Sequence, residues 1–204
     1  EDADAFCNRG NVWHDKGDLD KAFKDYDAAL AFNPEDADAF CNRGNVWGAK
    51  GDFEKALKDY DAALALNPEF AAALSNRGLL KYSKGEFDNA LEDYNKAFEI
   101  DPNIAKALLG RGIVYQEKGE LSKARNDYEK GLASNPELLG ALFNLAVLHA
   151  HQGALDEAHK GFEHVLSLDD RLQYTQESRE WVQSIEKRKH FLSKAQPGLE
   201  TEPK

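Results

Sequence analysis

The chain has 204 residues, 42% of them hydrophobic, enough to bury a sizeable core, and a formal net charge of −11. An acidic balance of that size argues against nucleic acid and against a general membrane surface, since both reward a basic patch and repel a negative one. No apolar run approaches the ~20 residues of a membrane span and no signal peptide is visible, so a cytoplasmic location is expected; the chain starts without Met, and a removed targeting segment stays open.

Between Ala3 and Pro136 the sequence repeats at a period of about 34 residues, the spacing of a two-helix solenoid unit. Glu1 to Trp13 recurs residue for residue as Glu35 to Trp47, and recent internal duplication is the simplest cause. Five units follow, over 3–36, 37–70, 71–104, 105–138 and 139–170. Each opens on a large apolar residue (Phe6, Phe40, Leu74, Leu108, Leu142), with a very small one four places later (Gly10, Gly44, Gly78, Gly112, Ala146). Further on come Ala22, Ala56, Ala90, Ala124 and Ala158, each four residues before an aromatic: Tyr26, Tyr60, Tyr94, Tyr128 and Phe162. Spacings of three and four place these groups on one face of a helix, so each unit reads as two amphipathic helices. The small residue of the first makes room for the ring of the second.

Gly17, Gly51, Gly85, Gly119 and Gly153 fall where the first helix ends, since glycine accepts the left-handed backbone of a helix stop. Asp20, Asp88, Ser122 and Asp156 are expected to cap the second helix. Asn33-Pro34, Asn67-Pro68, Asp101-Pro102 and Asn135-Pro136 close the unit, because the residue before proline is pushed out of the helical region. Asp169-Asp170 stands there in the fifth unit, whose exit is expected to be less constrained.

With small and large residues in register through five units, the chain resembles the tetratricopeptide repeat (TPR) proteins over residues 3 to about 170. The resemblance implies an all-α fold: a right-handed superhelical solenoid of antiparallel helix pairs, the first helix of each lining a concave groove. It further implies a protein-interaction scaffold that binds an extended peptide or partner segment, with no chemistry of its own and no cofactor. The array reads as one domain, not two. Glu1-Asp2 holds the place that Glu35-Asp36 holds behind Pro34, as in a fragment of a longer array, and this predicts an uncovered first repeat prone to weak self-association.

After Asp170 the period stops, while Tyr174, Trp181, Val182, Ile185 and Leu192 keep a helical spacing. Residues 171–193 read as a capping helix over the fifth unit, with a partner-binding helix as the alternative, and 194–204 as a flexible tail.

His149, His151, His159 and His164 gather around the fifth unit, but two residues apart on a helix point in nearly opposite directions, so no metal site is expected. No phosphate loop, nucleophile elbow or HExxH pattern marks an enzyme. Cys7 and Cys41 hold equivalent places on neighbouring helices, ~8–10 Å between axes, too far for an unstrained disulfide. The carboxylate clamp that the resemblance brings with it is incomplete. Asn45 and Asn76 match its amides and Lys106 one cation, but Cys41 and Gly110 stand at the other cationic places. Starting one unit earlier gives Asn11, Asn42 and Asn76, with Cys7 and Ala72 where cations belong.

What remains is a graded groove. Asn8, Asn42, Asn76 and Asn144 form an amide ladder interrupted by Gly110; Asp4 and Asp38 make one end acidic, while Leu109, Ile113, Phe143 and Val147 make the other apolar. Each apolar residue has a second reading, as packing between adjacent first helices. Arg9, Arg43, Arg77 and Arg111 coexist with Asp25, Asp59, Asp93 and Asp127, and both change in the fifth unit, to Leu145 and Gly161, which predicts Arg–Asp pairs within a unit or with the next. Three functional classes remain open: a peptide-binding module, a self-associating structural array, and a regulatory TPR domain of a larger enzyme.

Overall fold

The computed structural model describes residues 2–169 and 173–195. Among them are eleven α-helices and no strand: α1 (Ala3–Asp15), α2 (Leu19–Phe32), α3 (Ala37–Ala49), α4 (Phe53–Leu66), α5 (Ala71–Ser83), α6 (Phe87–Ile100), α7 (Ala105–Glu117), α8 (Leu121–Ser134), α9 (Leu139–His151), α10 (Leu155–Leu168) and α11 (Thr175–Ala195). The chain divides into two compact units, residues 1–114 and 115–204.

In the first unit α1–α2, α3–α4 and α5–α6 pack as hairpins, with α2 against α3 and α4 against α5. The predicted match of ring to glycine sets the closeness of each hairpin. A Cβ on Gly10 would lie 2.7 Å from the Tyr26 ring, on Gly44 2.7 Å from Tyr60, and on Gly78 3.0 Å from Tyr94. All three rings are buried, so the hairpins close by shape as much as by area.

A second device joins the repeats. Arg43 donates from Nε and Nη2 to both carboxylate oxygens of Asp59 in its own repeat, at 2.8 Å each, and from Nη1 to Asp27 of the repeat before, also at 2.8 Å. Arg77 repeats the pattern with Asp93 and Asp61. Arg111 keeps the backward bond, now to the Asn95 amide oxygen at 3.0 Å. The bonds to Asp59 and Asp93 outweigh partial burial and hold both guanidinium pKa values above the ordinary arginine value. The predicted Arg–Asp pairing is present in the first three repeats, and it reaches backward as well as inward.

The five interhelical glycines have φ between 75° and 80°, as a helix stop requires. The expected caps of the second helices are displaced. Only one residue separates Gly17 from α2, so the N-cap is Asp18, whose carboxylate accepts from the Lys21 N–H, and Asp52 does the same for α4. Asp20 lies inside the first turn of α2 and bonds Lys50 instead. Glu86, Glu120 and Ala154, rather than Asp88, Ser122 and Asp156, take the later cap positions, without a side-chain bond. The residues before proline leave the helical region as expected; Asn33, Asn67 and Asn135 each accept from the N–H two residues on.

In the second unit α9 and α10 form a hairpin, with α8 against α9 and α11 against α10. Gly161 here has its own reason: a Cβ on it would come within 2.8 Å of the Ala146 Cβ, so the fifth repeat exchanges its Arg–Asp pair for close backbone approach. The exit is also more constrained than expected. Asp169 is buried and accepts from the N–H groups of Gln173 and Tyr174 and from the Thr175 hydroxyl, fixing the entry to α11. Trp181 of α11 then stacks on Phe162 at 5.6 Å, and Ile185 is buried. Asp170 and residues 196–204 of the expected tail lie outside the described residues.

Candidate functional site

The amides expected along the groove of the first unit are joined to one another and to the core tyrosines. The Tyr26 hydroxyl donates to Asn11 Oδ1 at 2.8 Å, and Asn42 Nδ2 of the next repeat donates to that same oxygen at 3.1 Å. One repeat later Tyr60 and Asn76 donate to Asn45 Oδ1, both at 2.8 Å. Lys106 closes the run, its Nζ donating to Asn76 Oδ1 at 3.0 Å. Asn11 and Asn45 thus use their carbonyl oxygens twice within the protein, and each side chain still carries the two N–H donors of its Nδ2.

Two adjoining hollows follow this relay. The first, about 350 Å³, is lined by Asn11, His14, Asp15, Tyr26, Asn42 and Asn45. The second, about 440 Å³, brings Asn45, Asn76 and Lys106 together with the apolar Leu79 and Leu80. Asn8 is exposed on α1, while Leu109 and Ile113 are half-buried on α7.

In the second unit, Asn144 and Val147 of α9 are half-buried, and Val147 packs against the core around Phe162. Phe143, expected on the groove, is buried: its ring stacks on Tyr174 at 5.0 Å and meets Phe162 edge-on. The segment leading into α11 covers it, and that segment has no counterpart in the repeat pattern. Sequence reasoning in turn missed Leu79, 45% exposed beside the second hollow. Its signal was available, since Leu79 stands at the place held by Asn11 and Asn45.

The incomplete clamp has a physical explanation. Where a first cation would stand, Cys41 is buried, and burial, reinforced by Asp38, pushes its thiol up to about 11. Where the last would stand, Gly110 lies under the end of the Tyr94 ring. Cys7 is likewise a free thiol, raised to about 12 by burial and then by Asp36, to which it donates at 3.6 Å.

Among the described residues no group of three or more His, Cys, Asp or Glu is placed to hold a metal ion. His151 packs edge-on against Trp181, and His159 approaches Glu186 at 3.7 Å. Among the described residues, too, no helix is long and apolar enough to cross a membrane.

Hairpins in tandem, closed by ring on glycine and joined by a repeated arginine, define a helical-repeat protein. The sequence patterns of the tetratricopeptide repeat match residues 37–70 and 109–161, and that of the TPR repeat matches 10–51 and 78–119. The chain belongs to the tetratricopeptide repeat family. No curated protein matches it by sequence. Among solved structures it is similar to TTC0263, a thermophilic TPR protein in Thermus thermophilus, with 22% identity over 88% of this chain and 98% of that one and a TM-score of 0.73. PilF of Pseudomonas aeruginosa gives 22% identity over 96% and 92%, with a TM-score of 0.73. YrrB, a TPR protein with an unusual peptide-binding site, gives 21% over 88% and 92%, with a TM-score of 0.61. At these identities the likeness is one of fold, and the fold is that of protein-interaction scaffolds.

Proposed function

We propose that this chain is a non-catalytic scaffold that binds an extended peptide along α1, α3 and α5, with Asn11 and Asn45 donating to the ligand's backbone carbonyls. The observation that carries this reading is the relay itself. Tyr26 and Tyr60, with Asn42 and Asn76 of the following repeats, hold the carbonyl oxygens of two amides, and those two asparagines line adjoining hollows. Donors held in place before binding lose little entropy on capture, and extended peptides are held by main-chain hydrogen bonds with side-chain pockets for selectivity. Lys106, beside Leu79, supplies a cation to the second hollow, so a peptide with a carboxylate and an apolar side chain close together suits that end.

The test is selection of peptides from a random library on the full chain, followed by affinity measurement for Asn45→Asp. That substitution keeps an oxygen for Tyr60 and Asn76 and removes the Nδ2 donor. At least a tenfold loss is expected, with Lys58→Ala on the outer face of α4 unchanged. Equal affinity for wild type and Asn45→Asp, or loss on Lys58→Ala, would overturn the reading.

A further inference from the structure

The repeats 3–36 and 37–70 differ at only seven positions, and three of the differences fall together. His14, Asp15 and Leu19 of the first become Gly48, Ala49 and Phe53 of the second, and all three replacements line the second hollow. The first hollow has His14 and Asp15 in its wall and stays polar. Two nearly identical hairpins thus carry hollows of opposite character.

Neither backbone nor packing calls for a glycine at 48. Gly51 stops α3 with φ 80°, and a Cβ on Gly44 would lie 2.7 Å from the Tyr60 ring. Gly48 lies within α3, and a Cβ there would meet only the Tyr60 hydroxyl, at 4.0 Å, an ordinary contact. What its missing side chain provides is the opening itself, at the place where α1 carries the His14 imidazole. Phe53 and Leu79, 43% and 45% exposed, line that opening together with the buried Leu80 and Tyr60. Lys106 lines it too, at the place held by Asp4 and Asp38 in the earlier repeats. Its Nζ donates to the Asn76 amide oxygen, whereas Lys50 and Lys84 bond the carboxylates of Asp20 and Glu54.

We infer that the second hollow is a specificity pocket for an aromatic side chain of the bound peptide, with an acidic residue beside that aromatic, and that Gly48, Ala49 and Phe53 set this choice. The inference rests on the peptide-binding reading above and names the ligand's chemistry. A hollow of about 440 Å³ has room for a ring, which enters where an imidazole would otherwise stand and packs on Phe53 and Leu79. Aromatic pairs gain more than their buried area alone gives. The neighbouring carboxylate reaches Lys106, whose charge is met within the protein by a neutral amide, and forms the stronger, charge-assisted bond. The first hollow rejects the same ring, because His14 fills the equivalent place and Asp15 repels the acid beside it. Selectivity comes from this difference between two hollows on one row of asparagines.

The experiment selects peptides from one random library on the wild-type chain and on the double variant Gly48→His/Ala49→Asp. That variant gives the second repeat the residues of the first, and circular dichroism checks its fold. Wild-type selections should carry an aromatic residue within two places of Asp or Glu, and selections on the double variant should lose that enrichment. For a selected peptide, replacing the aromatic by Ala should weaken binding to the wild type at least tenfold and to the double variant less than twofold. Lys106→Glu should turn the acidic preference into a basic one. An aliphatic consensus, or an equal Ala penalty on both proteins, overturns this inference alone when Asn45→Asp still weakens binding. Peptides indifferent to Asn45→Asp, or none selected at all, overturn the peptide-binding reading and this inference with it.

Discussion

Tyr94 and Gly110 compete for the same space: a Cβ on Gly110 would lie 2.4 Å from the ring carbon that bears the hydroxyl of Tyr94 and 2.5 Å from the hydroxyl itself. The gap in the asparagine ladder is therefore occupied by the core of the preceding repeat. Gly110→Asn, which completes the ladder on paper, should destabilise the protein by ~1–3 kcal/mol through overpacking. The midpoint of urea unfolding tests this, and a wild-type midpoint contradicts the packing described.

Tyr60 does two jobs that separate by substitution. Tyr60→Ala removes a buried ring from Gly44 and should cost ~3–5 kcal/mol. Tyr60→Phe keeps the ring and deletes only the hydrogen bond to Asn45, costing ~0.5–1.5 kcal/mol. If the two variants melt together, the hydroxyl and not the ring dominates.

Arg43→Ala leaves the buried Asp59 carboxylate without its cation and should cost ~3–5 kcal/mol, because a broken buried pair loses more than the pair was worth. Pairing Arg43→Leu with Asp59→Gly, the residues that the fifth repeat uses, should recover part of that loss. Additive effects in this double-mutant cycle would deny the coupling.

Cys41 has a thiol pKa raised by burial from 9.0 to about 11. A raised pKa in the folded state means that unfolding releases the proton first. The stability held by the neutral thiol is complete below pH 9.0 and is lost as pH rises towards about 11. Cys41→Ser should flatten that part of the stability profile. Alkylation of the native protein at pH 8 should be slow at both cysteines, since little thiolate is present.

Much of this architecture was legible in the sequence because its determinants recur at helical spacing: Gly44 announces Tyr60, and Arg43 announces Asp59. The caps were misplaced because the turn after Gly17 is a single residue, and spacing alone does not say how soon the next helix starts. Phe143 was misassigned because its cover, Tyr174, comes from outside the repeat. The asparagines were found as a row, but which of their atoms bond inward depends on the reach of a tyrosine hydroxyl from the second helix of the hairpin, which a linear pattern does not record.

The backward bond of Arg43 to Asp27 bears on how such an array grows. Each early repeat carries both halves of the joint, basic residues on its first helix and acidic residues on its second. A tandem copy of one repeat therefore arrives already fitted to its parent on both sides, and no compensating mutation is needed before it is useful. Glu1–Trp13 and Glu35–Trp47 still read as such a copy, whereas in the fifth repeat, with Leu145 and Gly161, that capacity to be multiplied has been given up.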